Sequence, residues 1–380
     1  MTLKLLADEN IPAVEHYVGE LGEVRRFAGR ELRARDLAGA DVLLVRSVTA
    51  VNEQLLAGSA VRFVGTATSG IDHVDREYLA GQGIGFRHAP GSNANSVVEY
   101  VLAAIAAVDD HLERLLAGGT VGVVGYGVIG KAVTGRLQAM GIRFKVYDPW
   151  LDQAAVRHAA TLQEILACEV ITLHPELTRE QPWPSYHLFD GAALDQLQVG
   201  CLLINASRGA VVDNSALEAL LTKGRGPALV LDVWEGEPGI NPNLLQQVRQ
   251  GTPHIAGYSL DGKLLATRML VEAMAAQLEL PWRDPGSAAG PAPAITLPAG
   301  LDGAALLRHL LACRYDIRRD DAALRQATLA VDEVDAANGF DRLRREYPQR
   351  RELAGSLVRV QGIPHELLRG LGCVTGEGST

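Results

Sequence analysis

The sequence predicts an α/β chain built on open parallel sheets, and three observations carry that reading. Short β-branched apolar runs recur along the first two thirds of the chain. Helix-like stretches separate them, the alternation expected when parallel strands are joined by crossover helices. One strand–helix junction, Gly125-Tyr126-Gly127-Val128-Ile129-Gly130, has glycine at each position where a tight turn against a helix requires it.

In chain order, Leu3–Ala7, Val42–Val45, Arg62–Gly65 and Ile84–Phe86 have strand character. A long apolar helix is expected from Val97 to about Leu116, with Ser96 and Glu99 at the spacing of a capping box. The run Thr120–Val124 reads as the strand before the glycine turn, and Lys131–Met140 after it has helical spacing. Arg143–Tyr147 is the next strand and ends at Asp148; others follow at Val170–Leu173, Cys201–Ile204 and Ala228–Leu231. A second long helix is expected roughly from Gly262 to Leu280. Asp284–Gly300, rich in Pro, Ala and Gly, reads as a linker. The helical segment beyond it is rich in arginine between Arg314 and Arg351 and reads first as a solvated face, with closure over a substrate phosphate as the second reading.

Composition sets the outer limits. A chain of 380 residues, 47% of them hydrophobic, suggests two or three domains with substantial cores. A net charge of −9 argues against a general nucleic-acid binder. No leader peptide and no membrane-spanning run is apparent. Four cysteines without paired spacing fit a reducing cytoplasm and give no metal site.

The glycine turn is read as a dinucleotide site. Gly125 permits the tight turn, Gly127 lets backbone amides approach a pyrophosphate, and Gly130 lets helix pack on strand, with Tyr126, Val128 and Ile129 completing the loop. Asp148 would accept hydrogen bonds from ribose hydroxyls and repel a 2′-phosphate, which favours NAD over NADP. Three later segments each place one reactive side chain after an apolar run: Arg208 in Asn205-Ala206-Ser207-Arg208-Gly209, Glu237 in Asp232-Val233-Trp234-Glu235-Gly236-Glu237-Pro238, and His254 in Thr252-Pro253-His254-Ile255-Ala256-Gly257. A guanidinium holds a carboxylate in two parallel bonds, and an imidazole oriented by a carboxylate moves a proton near neutral pH. Together with the cofactor turn, the trio describes hydride removal from a hydroxy acid. His158, His174 and His187 lack metal spacing and are not expected to be ligands or bases.

This ordered set of motifs resembles the NAD-dependent D-isomer-specific 2-hydroxyacid dehydrogenases over about Leu3 to Leu280. The resemblance implies two similar Rossmann- or flavodoxin-like parallel-sheet domains with an interdomain cleft. It divides the chain into a discontinuous substrate-binding domain (1–95 and 256–285), an NAD-binding domain (96–255) and a small C-terminal α+β dimerisation domain (286–380). In that scheme Arg208, Glu237 and His254 are catalytic. Asp232 accepts from the nicotinamide carboxamide, and Ala206, Ser207, Arg208 and Gly257 approach the cofactor.

Val45-Arg46-Ser47-Val48-Thr49, Phe63–Gly70, Ile255–Ser259 and Arg314–Asp321 resemble one branch of that family. That branch implies a homodimer oxidising 4-phospho-D-erythronate at C2 to 2-oxo-3-hydroxy-4-phosphobutanoate, on the route to pyridoxal 5′-phosphate. Ser47, Thr68, Tyr258 and Arg46 would hold the substrate. The alternatives are another 2-hydroxyacid dehydrogenase, acting on 3-phosphoglycerate or glycerate, and a cofactor-sensing protein on the same scaffold.

Overall fold

A computed structural model describes residues 2–298, 300–301, 303–360 and 365–377. The chain forms two compact units, Met1–Asn93 with Ser259–Pro291, and Ala94–Tyr258 with Ala292–Thr380. Among the described residues no helix is long and apolar enough to cross a membrane.

The first unit is built on five parallel strands: β1 (Leu3–Asp8), β2 (Gly22–Phe27), β3 (Val42–Val45), β4 (Phe63–Thr66) and β5 (Gly85–His88), in the order β2-β1-β3-β4-β5. β3 and β4 are buried along their whole length, as strands covered on both faces must be. β2 has no counterpart among the expected strands; it is a half-exposed edge strand carrying Glu23, Arg25 and Arg26, so it shows no apolar run. The helix Leu260–Gln277 starts at Ser259, whose hydroxyl accepts from the Gly262 amide, and lays Leu264, Val271 and Met274 against Leu3, Leu5, Val42 and Phe63.

The second unit holds six parallel strands: β6 (Thr120–Val124), β7 (Arg143–Tyr147), β8 (Val170–Leu173), β9 (Leu202–Asn205), β10 (Ala228–Leu231) and β11 (Gln250–Gly251), in the order β11-β10-β9-β8-β6-β7. The order reverses beside β6, which makes its carboxyl end the switch point where α/β sheets take ligands. A third sheet of three parallel strands, β12 (Ile295–Thr296), β13 (Leu357–Val360) and β14 (Val374–Glu377), belongs to the same unit. β12 falls inside the expected linker: Ile295 is buried, so the tail of that stretch is structural.

The structure departs from two further expectations. The long helix is two, Ala94–Ala107 and His111–Leu116, broken at Asp109, whose backbone is left-handed (φ 46°) and whose carboxylate pairs with Arg249 at 3.1 Å. Ser96 and Glu99 form no capping box. Both lie inside the helix and are buried, Ser96 donating to the Ala256 carbonyl and Glu99 accepting from the Leu353 and Ala354 amides. The C-terminal segment has overridden the local signal. Its Leu306, Leu307, Leu310, Leu311 and Tyr315 share one core with Tyr100, Val101 and Ile105 of that helix.

Candidate active site

Parallel strands put every carboxyl end on one edge of a sheet, so residues far apart in sequence converge there. In the second unit that edge carries Gly125 after β6, Asp148 after β7, His174 after β8, Asn205 at the end of β9, Asp232 after β10 and Thr252 after β11.

At Gly125 the backbone is left-handed (φ +88°), and a Cβ would lie 2.6 Å from the Pro175 nitrogen. A Cβ on Gly130 would meet the Gly125 carbonyl oxygen at 2.0 Å, so helix and turn touch there backbone to backbone. Gly127 differs: nothing lies within 4 Å of where its Cβ would stand. Gly127 opens the helix Val128–Ala139 with no side-chain cap and no acidic residue in the first turn. The first amides of that helix are thus left for an anion, with Val128 53% exposed and Tyr126 and Ile129 half-buried beside them. Asp148 accepts from the Tyr126 amide at 2.8 Å and from the Trp150 amide at 3.1 Å, tying the acidic residue to the turn. These residues fit a dinucleotide: an open amide cradle for pyrophosphate and a carboxylate one strand away for ribose hydroxyls.

The β9 turn is organised by Asn205, fully buried. Its Oδ1 accepts from the Ser207 amide and hydroxyl, and its Nδ2 donates to the Arg208 carbonyl at 3.0 Å. Ala206 and Arg208 are half-buried, and the Arg208 guanidinium donates to the Ser207 carbonyl at 2.9 Å. Gly209 abuts the next loop: a Cβ there would fall 2.1 Å from the Trp234 carbonyl carbon. Only glycine lets the Arg208 turn sit against the segment carrying Glu237.

Glu237 and His254 meet directly. Glu237 Oε2 stands 2.8 Å from His254 Nδ1, while Oε1 accepts from the Trp234 amide at 2.7 Å. With Nδ1–H donating to the carboxylate, the free imidazole presents Nε2 as the acceptor, the tautomer a general base needs. His254 itself adopts a left-handed backbone (φ 56°), a conformation that a non-glycine residue keeps only when its surroundings enforce it. Asp232 supplies part of that enforcement. Its carboxylate, 1% exposed, accepts from the Thr252 hydroxyl at 2.6 Å and from the Ile255 and Ala256 amides at 2.7 and 2.9 Å. Tyr100 backs the Thr252 hydroxyl at 2.8 Å. The family resemblance assigns Asp232 to the carboxamide of nicotinamide; the structure shows it fastening the His254 loop. Gly257 and Tyr258 close that loop, both half-buried, with the Tyr258 amide donating to the Ile255 carbonyl.

His174 is half-buried beside the glycine turn, its Nε2 2.9 Å from the Thr172 hydroxyl, and desolvation of the ring lowers its pKa to about 3. It stays neutral. His187 has company that sequence spacing does not reveal: Nε2 lies 2.8 Å from Glu235 and Nδ1 3.6 Å from Asp213, a grouping with ion-ligand spacing.

In the first unit Arg46 and Ser47 follow β3, and Thr68 follows β4 by two residues. Ser47 is exposed and Arg46 half-buried. The Thr68 hydroxyl donates to the Gly70 carbonyl at 2.7 Å and lies 2.8 Å from the Thr66 hydroxyl.

The model of the D-isomer specific 2-hydroxyacid dehydrogenase NAD binding domain matches residues 100–256. A second model, described as a domain of unknown function, DUF3410, matches residues 289–372. Erythronate-4-phosphate dehydrogenase of Cellvibrio japonicus is 46% identical, the match covering 94% of this chain and 95% of the relative. The chain belongs to the erythronate-4-phosphate dehydrogenase family. The relative of that name from Marinobacter nauticus is 44% identical over 94% of this chain and 95% of its own. Among solved structures, the TT0316 protein of Thermus thermophilus superposes with a TM-score of 0.62 at 25% identity, covering 73% of this chain and 97% of that one. Members of the family are NAD-dependent oxidoreductases acting on a CH–OH group, and this chain is one of them.

Proposed function

We propose that this chain oxidises 4-phospho-D-erythronate at C2 to 2-oxo-3-hydroxy-4-phosphobutanoate, in the formation of pyridoxal 5′-phosphate. The observation that carries the reading is the His254–Glu237 pair at 2.8 Å on the edge that also bears Arg208 and the glycine turn. Relatives that share 44–46% of their residues nearly end to end carry the erythronate-4-phosphate dehydrogenase name, which supports the substrate.

The Gly125–Gly130 turn, Asp148, Ala206, Ser207, Arg208, Asp232 and Gly257 would hold NAD, which would supply the hydride acceptor. His254 Nε2 takes the proton of the C2 hydroxyl. Glu237 holds the tautomer and stabilises the imidazolium that results, base catalysis typically contributing roughly 10²–10⁴ in rate. Arg208 clamps the substrate carboxylate and C2 oxygen through its planar fork. Ser47, Thr68, Tyr258 and Arg46 hold the remaining hydroxyls and the phosphate. The same reading makes the chain a cytoplasmic homodimer, and its free cysteines support the compartment.

Turnover of a substrate panel with NAD, repeated with 2-oxo acids as added acceptors, tests this. Oxidation of 4-phospho-D-erythronate should exceed that of 3-phosphoglycerate and glycerate. Faster oxidation of 3-phosphoglycerate would overturn the substrate, and turnover unchanged by His254→Ala would overturn the mechanism.

A further inference from the structure

The arginine-rich C-terminal segment does not form a uniformly solvated face. Arg350 is 6% exposed and buried within the second unit, its guanidinium 4.0 Å over the Tyr315 ring. Its Nη2 donates to the Ala256 carbonyl at 2.9 Å and also to the Ser96 hydroxyl. Ser96 donates to that same carbonyl at 2.9 Å. Three residues earlier, Tyr347 sets its ring edge-on to Tyr258 (5.7 Å between centroids) and anchors its own hydroxyl on Asp320 at 2.8 Å. Glu99 fixes the backbone just beyond Arg350, accepting from the Leu353 and Ala354 amides at 2.6 and 2.9 Å.

The Ala256 residue is therefore gripped from two directions. Its amide donates to Asp232 from the strand edge, and its carbonyl accepts from Arg350 of the C-terminal domain. Two residues upstream, His254 keeps a left-handed backbone, a strained conformation that persists only where the surrounding structure holds it. Asp232 holds the amide side of that loop, whereas the carbonyl side depends on Arg350 and Ser96. A buried guanidinium is expensive to desolvate; the nearby Glu99 and Asp320 offset part of that cost, while its hydrogen bonds go to a carbonyl two residues from the base and to the Ser96 hydroxyl.

We propose that Arg350 and Tyr347 are positioning residues for the Thr252–Tyr258 loop, so that the C-terminal domain sets the active-site geometry of its own chain. Arg350 fixes the orientation of His254 against Glu237 through Ala256, and Tyr347 fixes Tyr258. The segment that matches a model of unknown function thereby acquires a role inside the chain that carries it. This inference rests on the catalytic reading of His254 given above.

The test uses the full-length protein and the variants Arg350→Met, Arg350→Lys and Tyr347→Leu. Steady-state kinetics with 4-phospho-D-erythronate, NADH affinity by fluorescence titration, and the NMR titration of His254 (assigned with His254→Gln) are measured on each. Arg350→Met should lower kcat about 10- to 100-fold, the penalty for misplacing a reacting group. Its NADH affinity should be retained and its His254 titration displaced. Arg350→Lys should recover part of both, because an ammonium reaches one acceptor without the fork. Tyr347→Leu should raise KM more than it lowers kcat, since Tyr258 faces substrate in the proposed reading.

Wild-type kcat and a wild-type His254 titration in folded Arg350→Met overturn the proposal. Should that variant fail to fold, unchanged kcat, KM and titration in both Arg350→Lys and Tyr347→Leu overturn it equally. The His254 titration needs no substrate. A displaced titration in a chain inactive on 4-phospho-D-erythronate would sink the substrate reading and leave this one standing.

Discussion

His254 and Glu237, 17 residues apart in the chain, meet at 2.8 Å through Nδ1 and Oε2. The second Glu237 oxygen is fixed by the Trp234 amide, so the carboxylate cannot rotate away without losing a bond to its own loop. The imidazole is thereby oriented by a group that is itself held, the arrangement an acid–base catalyst requires.

Glu237→Gln should therefore remove the charge and one of two acceptors, because the amide oxygen can accept from Nδ1–H or from the Trp234 amide but not from both. The neutral side chain also cannot stabilise the imidazolium. We expect kcat to fall about 10²-fold with KM for the hydroxy acid little changed, as for an interaction made chiefly in the transition state. Steady-state kinetics on both parameters check this, and an equal loss carried by KM alone would contradict it.

Gly127 and Gly130 should separate cofactor binding from folding. A Cβ at Gly130 strikes the Gly125 carbonyl, a backbone atom with no room to yield, whereas a Cβ at Gly127 meets nothing within 4 Å. Gly130→Ala should lower both Tm and NADH affinity. Gly127→Ala, at φ −73°, should leave Tm unchanged and weaken NADH alone, because its added methyl occupies the approach to the helix amides. Thermal melts beside NADH fluorescence titrations decide between these outcomes.

Glu99 should make stability depend on pH. Burial raises its pKa from 4.5 to about 7, opposed by the Leu353 and Ala354 amides. Between those values the folded protein holds a proton that the unfolded chain has released, so stability declines as pH rises through this window. Glu99→Gln carries no such proton. Its Tm should exceed that of the wild type at pH 8 and converge with it by about pH 4.5. Melts of the two proteins across that range test the sign directly.

Local chemistry was legible where one segment settles it. The glycine turn needs particular φ values and close approaches within six residues, and the strands covered on both faces must be apolar throughout. β2 escaped because an edge strand can alternate charge with partial burial, leaving no run to detect. The Ser96–Glu99 spacing misled for the opposite reason: both side chains are committed to partners at Ala256, Leu353 and Ala354, more than 150 residues away in sequence. Asp232 stands between these cases: it is picked out by sequence as a site residue, while the three donors from Thr252, Ile255 and Ala256 that converge on it are brought there only by the fold.

By itself, the sequence determined the parallel α/β class and singled out the glycine turn, Arg208, Glu237 and His254 as candidates for the site, because spacing, backbone need and side-chain chemistry are properties of short stretches. Only the tertiary structure decided how that chemistry is held. Asp232 under the His254 loop, Gly209 against Trp234, and Arg350 on the Ala256 carbonyl are all long-range contacts. A buried polar group takes whatever partner the completed fold brings to it, and no local pattern records which one that will be.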